Sequence, residues 1–96
     1  MLLSDLKTKF RKKILNIANE CGIDEVRVFG STARGEATEE SDVDLLVSVK
    51  EATSLLDIGR FKWKTEELLR KKVDIAFKGR IHHSIADRVA KEAKLL

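Results

Sequence analysis

Proline and tyrosine are absent from this sequence of 96 residues, and cysteine, tryptophan and methionine each occur once. A lone cysteine, Cys21, excludes an intramolecular disulfide; its position predicts packing near the end of a first helix. No apolar run approaches the roughly 20 residues that a membrane-spanning helix requires. The opening MLLSDLKTKF carries charges too early and too often for a signal peptide, so a cytoplasmic location is expected. No linker or internal repeat is visible. No GKS or GKT follows a glycine loop and no GxGxxG occurs, which excludes a Walker A loop and a dinucleotide fingerprint. Aromatic residues make up 5% of the chain, and no stacking platform or recognition motif for nucleic acid is present. Direct nucleic-acid binding is therefore not expected, despite the positive net charge.

What is present describes a small folded domain. Hydrophobic residues make up 43% and charged residues 36%, enough for a core inside a well-solvated surface; one domain over residues 1–96 is expected. A domain of this size is only modestly stable alone. The net charge of +3 comes from 19 Lys and Arg against 16 Asp and Glu. KTKFRKK (7–13) is basic, as is the stretch from Arg60 to Lys72, whereas Glu36, Glu39, Glu40, Asp42 and Asp44 form an acidic run. A basic body around a local acidic patch attracts a polyanion while still holding a cation. Ordinary solvated helix faces account for the same charges.

Periodicity gives the element order. Ser4 or Asp5 caps a first helix in which Leu6, Phe10, Ile14, Ile17, Ala18 and Cys21 recur at helical spacing, and Gly22 ends it. EVRVFG reads as a strand with Val26 and Val28 on one face, and STARGE as a short helical turn. In DVDLLVSV, side chains alternate with period two: Val43, Leu45, Val47 and Val49 face one way and Asp42, Asp44, Leu46 and Ser48 the other. A helix follows from about Ser54 to Lys72, its apolar stripe drawn from Leu55, Ile58, Phe61 or Lys62, Thr65, Leu68 and Leu69; Gly59 inside it suggests a close helix contact. KVDIAF is a third strand with Val73, Ile75 and Phe77 on one face and Asp74 and Ala76 on the other. A last helix is expected from about His82 to Lys94, with Ile85 and Val89 inward. Alternating helices and strands predict an α/β (α+β) domain: a small mixed sheet of about three to four strands covered by helices.

Three aspartates stand at strand positions. Asp42 and Asp44 share a face, and Asp74 joins them if its strand is a neighbour. Clustered carboxylates repel one another at low dielectric, and a divalent cation removes that cost. An all-oxygen ligand set suits magnesium, and two such ions about 4 Å apart flank a transferring phosphoryl group in two-metal sites. An aspartate at a strand start also serves as a cap or a surface pair, and Asp42 alone carries no more than that. Upstream, Gly30 and Ser31 follow a strand and open a turn. Glycine lets a phosphate approach the backbone, and a serine hydroxyl with adjacent amides binds phosphate oxygens; alone, Gly-Ser is a common turn.

Taken together, GSTARGEATEESDVDLLV resembles the signature of nucleotidyltransferases related to DNA polymerase beta, and is most similar to their minimal (MNT) members. The family pattern is Gly-Ser, ten residues, then Asp-x-Asp; here Thr32 through Ser41 separate Gly30-Ser31 from Asp42-Val43-Asp44. ARGE (33–36) and SDVDLL (41–46) match the minimal subgroup, and the later carboxylate of the family maps onto Asp74. The resemblance implies the polymerase beta-like nucleotidyltransferase fold. It implies a triphosphate held at Gly30 and Ser31, with Arg34 as a candidate phosphate partner, and two Mg2+ ions on Asp42, Asp44 and Asp74, with Asp74 near the attacking hydroxyl. It implies NMP transfer from an NTP, ATP by analogy with the subgroup, releasing pyrophosphate. Minimal members are similar to antitoxins that AMPylate a tyrosine of a HEPN-domain toxin. This chain has no tyrosine, so self-modification at tyrosine is excluded. The alternative is a non-catalytic antitoxin that neutralises its HEPN RNase partner by complex formation.

Other residues carry weaker signals. Phe61 and Trp63, two apart on one helix, cannot both face one core stripe; one of them is expected at the surface, as a contact or as cover for the domain edge. His82 and His83 are adjacent, point in different directions on a helix and make no zinc site with Cys21. Glu36, Glu39 and Glu40 read as loop solvation.

Overall fold

The computed structural model describes residues 2–77 and 93–96. The apolar spacing of the first twenty residues produces a helical run in three pieces: α1 (Leu3–Asp5), a π-helical turn (Leu6–Phe10) and α2 (Arg11–Glu20). The wide turn has a packing consequence. Leu6 and Ile14 would stand about 80° apart on a regular helix, yet both are fully buried. A π turn winds more slowly and brings them into line. Cys21 caps α2 and is buried in the core, where its position in the sequence predicts it.

A four-stranded sheet follows, built from β1 (Ile23–Phe29), β2 (Val43–Val49), β3 (Val73–Phe77) and β4 (Lys94–Leu95), in the order β3-β2-β1-β4. β1 pairs antiparallel with β2 and with β4, and β2 pairs parallel with β3. The sheet is therefore mixed, with four strands. β1 begins two residues before the EVRVFG reading, because a register irregularity between Ile23 and Glu25 lets both Ile23 and Val26 face inward. Val26, Val28, Val43, Leu45, Val47 and Val73 form the inner face of the sheet. They pack with Leu6, Ile14, Ala18, Phe61 and Leu69 from the helices in one core.

The helix after β2, α4 (Leu55–Leu69), starts with a reciprocal capping box. Ser54 Oγ accepts from the Asp57 amide at 3.2 Å, and the Asp57 carboxylate accepts from the Ser54 amide at 3.1 Å. Its buried stripe is Ile58, Phe61, Thr65 and Leu69. Two expectations are corrected here. Leu55 is exposed rather than inward, because the N-terminal end of the stripe lies on Ile58. Gly59 makes no close helix contact; a β-carbon there would meet nothing within 4 Å, since Gly59 lies on the outer side. Among the two aromatics, Phe61 is fully buried and Trp63 exposed.

The last helix expected over 82–94, with His82, His83, Ile85 and Val89, lies outside the described residues, apart from its end. There the expectation is corrected: Lys94 and Leu95 form β4, opposite Val28 and Arg27. Short apolar ends of this kind do not distinguish helix from edge strand by period. The Leu96 amide continues the contact, donating to the Val26 carbonyl at 3.0 Å.

Candidate active site

Strand register assembles the carboxylates. Phe29 on β1, Asp44 on β2 and Asp74 on β3 are cross-strand partners in one row. Partners in a row share a face, so Asp44 and Asp74 stand side by side on the face opposite the core. Arg27, Leu46 and Ala76 make the next row of that face, with Leu46 buried. Asp42 immediately precedes β2 and is exposed; Asp74 is exposed and Asp44 half-buried.

The Gly-Ser turn closes over this row. The chain leaves β1 at Phe29 and enters α3 (Gly30–Arg34) directly. Gly30 has φ +69, the left-handed region open to glycine, and a β-carbon on it would collide with the Asp44 carboxylate. The missing side chain is thus what allows backbone and carboxylate to touch. Ser31 follows, half-buried, and Thr32 and Ala33 are buried behind it. Among the described residues the Thr32 hydroxyl finds no hydrogen-bond partner.

Electrostatics follow from the crowding. Burial pushes the Asp44 carboxyl above its ordinary range, and the charges of Asp74 and then Asp42 push it further. A side-chain hydrogen bond with Asp74 adds to the rise, and Arg34 pulls it back. The neighbouring like charges thus disfavour ionisation of Asp44. Arg34 is exposed at the rim, its Nε donating to Glu36 Oε2 at 3.1 Å. Glu39 and Glu40 are exposed in the loop leading to Asp42.

The chemistry of this donor set fits a hard divalent cation: oxygen ligands only, with like charges held together. Among the described residues no group of three or more His, Cys, Asp or Glu side chains is drawn to metal-binding spacing. Within the trio, Asp44 and Asp74 are joined by a side-chain hydrogen bond. An open recess of about 320 Å³ lies beside the Asp42 loop, lined by Leu2, Asp5, Ala37, Thr38, Glu39 and Lys71.

Two positioning contacts are invisible in the sequence. Glu66 Oε2 accepts from the Val73 amide at 3.0 Å, fixing the start of β3 next to Asp74. The Lys71 ammonium donates to the Glu39 carbonyl and ties down the loop before Asp42. Neither pair has a motif or a periodic spacing, so no signal along the chain marks them.

The nucleotidyltransferase domain family matches residues 7–96. A Methanocaldococcus jannaschii protein provisionally named a protein adenylyltransferase is 41% identical over 85 residues, covering 88% of this chain and 91% of that protein. Protein adenylyltransferase MntA of Thermococcus cleftensis is 44% identical over 71 residues, covering 74% of this chain and 72% of that protein. A solved structure provisionally described as a minimal nucleotidyltransferase superposes with a TM-score of 0.87 at 42% identity, covering 100% of this chain and 97% of that one. The fold also matches a Shewanella oneidensis complex of a tri-AMPylated HEPN toxin with its MNT antitoxin, at TM-score 0.65 and 16% identity, covering 88% of this chain and 66% of that one.

Proposed function

Since the chain belongs to the nucleotidyltransferase domain family, in its minimal form, we propose that it is a cytoplasmic, single-domain protein adenylyltransferase. In this reading it transfers AMP from ATP to a hydroxyl, a tyrosine, of a cognate HEPN-domain toxin and so acts as its antitoxin. The observation that carries the reading is the row formed by Asp44 and Asp74 under the Gly30 turn. The names of the relatives support the activity, and the AMPylated toxin in a complex of the same fold supports the acceptor and partner.

Each residue then has a task. The backbone at Gly30 and the Ser31 hydroxyl hold the triphosphate, and Arg34, already at the rim, pairs with phosphate oxygens in exchange for Glu36. Asp42, Asp44 and Asp74 would hold the two magnesium ions. When bound, the cations neutralise charge on the phosphoryl oxygens. The acceptor hydroxyl oxygen forms a bond to the α-phosphorus, the bond from that phosphorus to the bridging oxygen breaks, and pyrophosphate leaves. Asp74, the exposed member of the pair, takes the hydroxyl proton. Most of the rate then comes from holding the reactants in line and stabilising developing charge.

The test is incubation with labelled ATP, magnesium and the cognate toxin. Label on the toxin tyrosine is expected, lost in Asp42→Asn/Asp44→Asn and lost on chelation. No label on a folded toxin overturns the proposal. If the Asn variant still neutralises the toxin in a bacterial rescue assay, complex formation alone is the mechanism of protection.

A further inference from the structure

The outer side of α4 is built for contact, independently of the site above. Leu56 and Trp63 lie seven residues apart, within about 20° on the helix, and are 78% and 58% exposed. Gly59 between them borders open space. The buried side of the same helix already spends Ile58, Phe61, Thr65 and Leu69 on the core, and Trp63 lies outside that stripe. Tryptophan and arginine are the residue types enriched among interface anchors, and Trp63 and Arg60 both lie on this side.

The charges on this face are self-complementary. Arg60 and Glu67 straddle Trp63 on the same outer side, within about 20° of each other at 3.6 residues per turn. Arg60 pairs loosely with Asp57, at 3.8 Å with half its side chain exposed. Glu67 lines an open recess of about 500 Å³ together with Glu66 and Arg70. Basic, apolar, acidic along one line is the order that two antiparallel copies of a helix satisfy at once.

We propose that the outer face of α4 is a self-docking surface, pairing antiparallel with α4 of a second copy of this chain. Trp63 sits near the two-fold axis against Trp63 of the second copy. On either side Arg60 enters the recess at Glu67 of the other molecule, giving two identical ion pairs from one contact, as an isologous interface requires. Leu56 is covered by the aliphatic stem of Arg70 from the other copy. One helix face buries less than the roughly 800 Å² per partner of a standard interface, so the dimer is weak and forms in the micromolar range or above.

Sedimentation velocity on the whole chain, from micromolar to millimolar concentration, is the test. A concentration-dependent monomer–dimer equilibrium is expected. Trp63→Glu abolishes it. Arg60→Glu weakens it about tenfold, since two attractions become two repulsions, and Glu67→Arg does the same. The double swap Arg60→Glu/Glu67→Arg restores it. Unchanged circular dichroism of each variant separates lost docking from lost folding. A monomer at every concentration overturns the proposal, as do a dimer indifferent to Trp63→Glu and a double swap that fails to recover. A monomeric chain whose Trp63→Glu variant loses toxin capture assigns the face to the toxin, and also overturns it.

Discussion

The Asp44 carboxylate occupies the space where a side chain on Gly30 would be. Turn and carboxylate are therefore one unit: the strand that carries Asp44 and the turn proposed to hold phosphate cannot move apart or together without changing both.

Gly30→Ala is expected to destabilise the fold by about 1–3 kcal/mol, from left-handed backbone strain plus the displaced carboxylate. Gly35→Ala is the internal control. Gly35 also has positive φ, +75, but a β-carbon there meets nothing within 4 Å, so only the backbone cost of about 1 kcal/mol applies. Urea unfolding of the two variants measures the difference, and equal losses would remove the claim of contact.

Asp44→Asn is expected to raise the melting temperature at neutral pH in the absence of divalent cation, while removing nucleotidyl transfer. The folded state binds the Asp44 proton more tightly than the unfolded chain does, because of burial and the charges of Asp74 and Asp42. The contribution of this group is thus fully present below its unfolded pKa of about 3.9 and is lost as pH rises through the higher folded value. The advantage of the variant should grow over that interval and vanish in acid. Thermal melts of both proteins from acid to neutral pH test the sign.

Asp57 behaves in the opposite sense. Its hydrogen bonds with the Ser54 backbone and then the Ser54 side chain hold its carboxyl below the ordinary range. The stability it contributes is present above the unfolded pKa and is lost as pH falls through the folded value. Asp57→Ala is therefore expected to be less stable than the parent at neutral pH, with the gap closing in acid. Helix content followed by circular dichroism against pH is the measurement.

The two aromatics of α4 should separate cleanly. Phe61 is fully buried, and Phe61→Ala is expected to cost about 3–5 kcal/mol, enough to unfold much of a domain this small. Trp63→Ala, at an exposed position, should change the stability of the monomer by no more than about 0.5 kcal/mol. Denaturant titration at low protein concentration compares them.

Much of this was legible along the chain. Period-two alternation put Asp42, Asp44 and Leu46 on one face and Val43, Leu45 and Val47 on the other; the inner three are buried as expected, but Leu46 is buried as well. The helical stripe of α4 was readable at Ile58, Thr65 and Leu69, but not at its first turn, where Leu55 looks inward by spacing and lies outside by geometry. Gly59 misled for the same reason: a glycine in a helix signals close packing only when it lies on the packed side. The end of the chain misled as well, since hydrogen bonding of Leu95 and Leu96 to β1 depends on a partner nearly 70 residues away.

The sequence by itself determined the turn, the spacing to the Asp-x-Asp pair and the face each strand presents, because glycine stereochemistry and alternation act between near neighbours. The tertiary structure decided that β3 runs parallel beside β2 in a register that sets Asp74 against Asp44, and that Gly30 folds onto that pair. Those are choices of strand neighbour and register, settled by packing of the whole core, and nothing local along the chain encodes them.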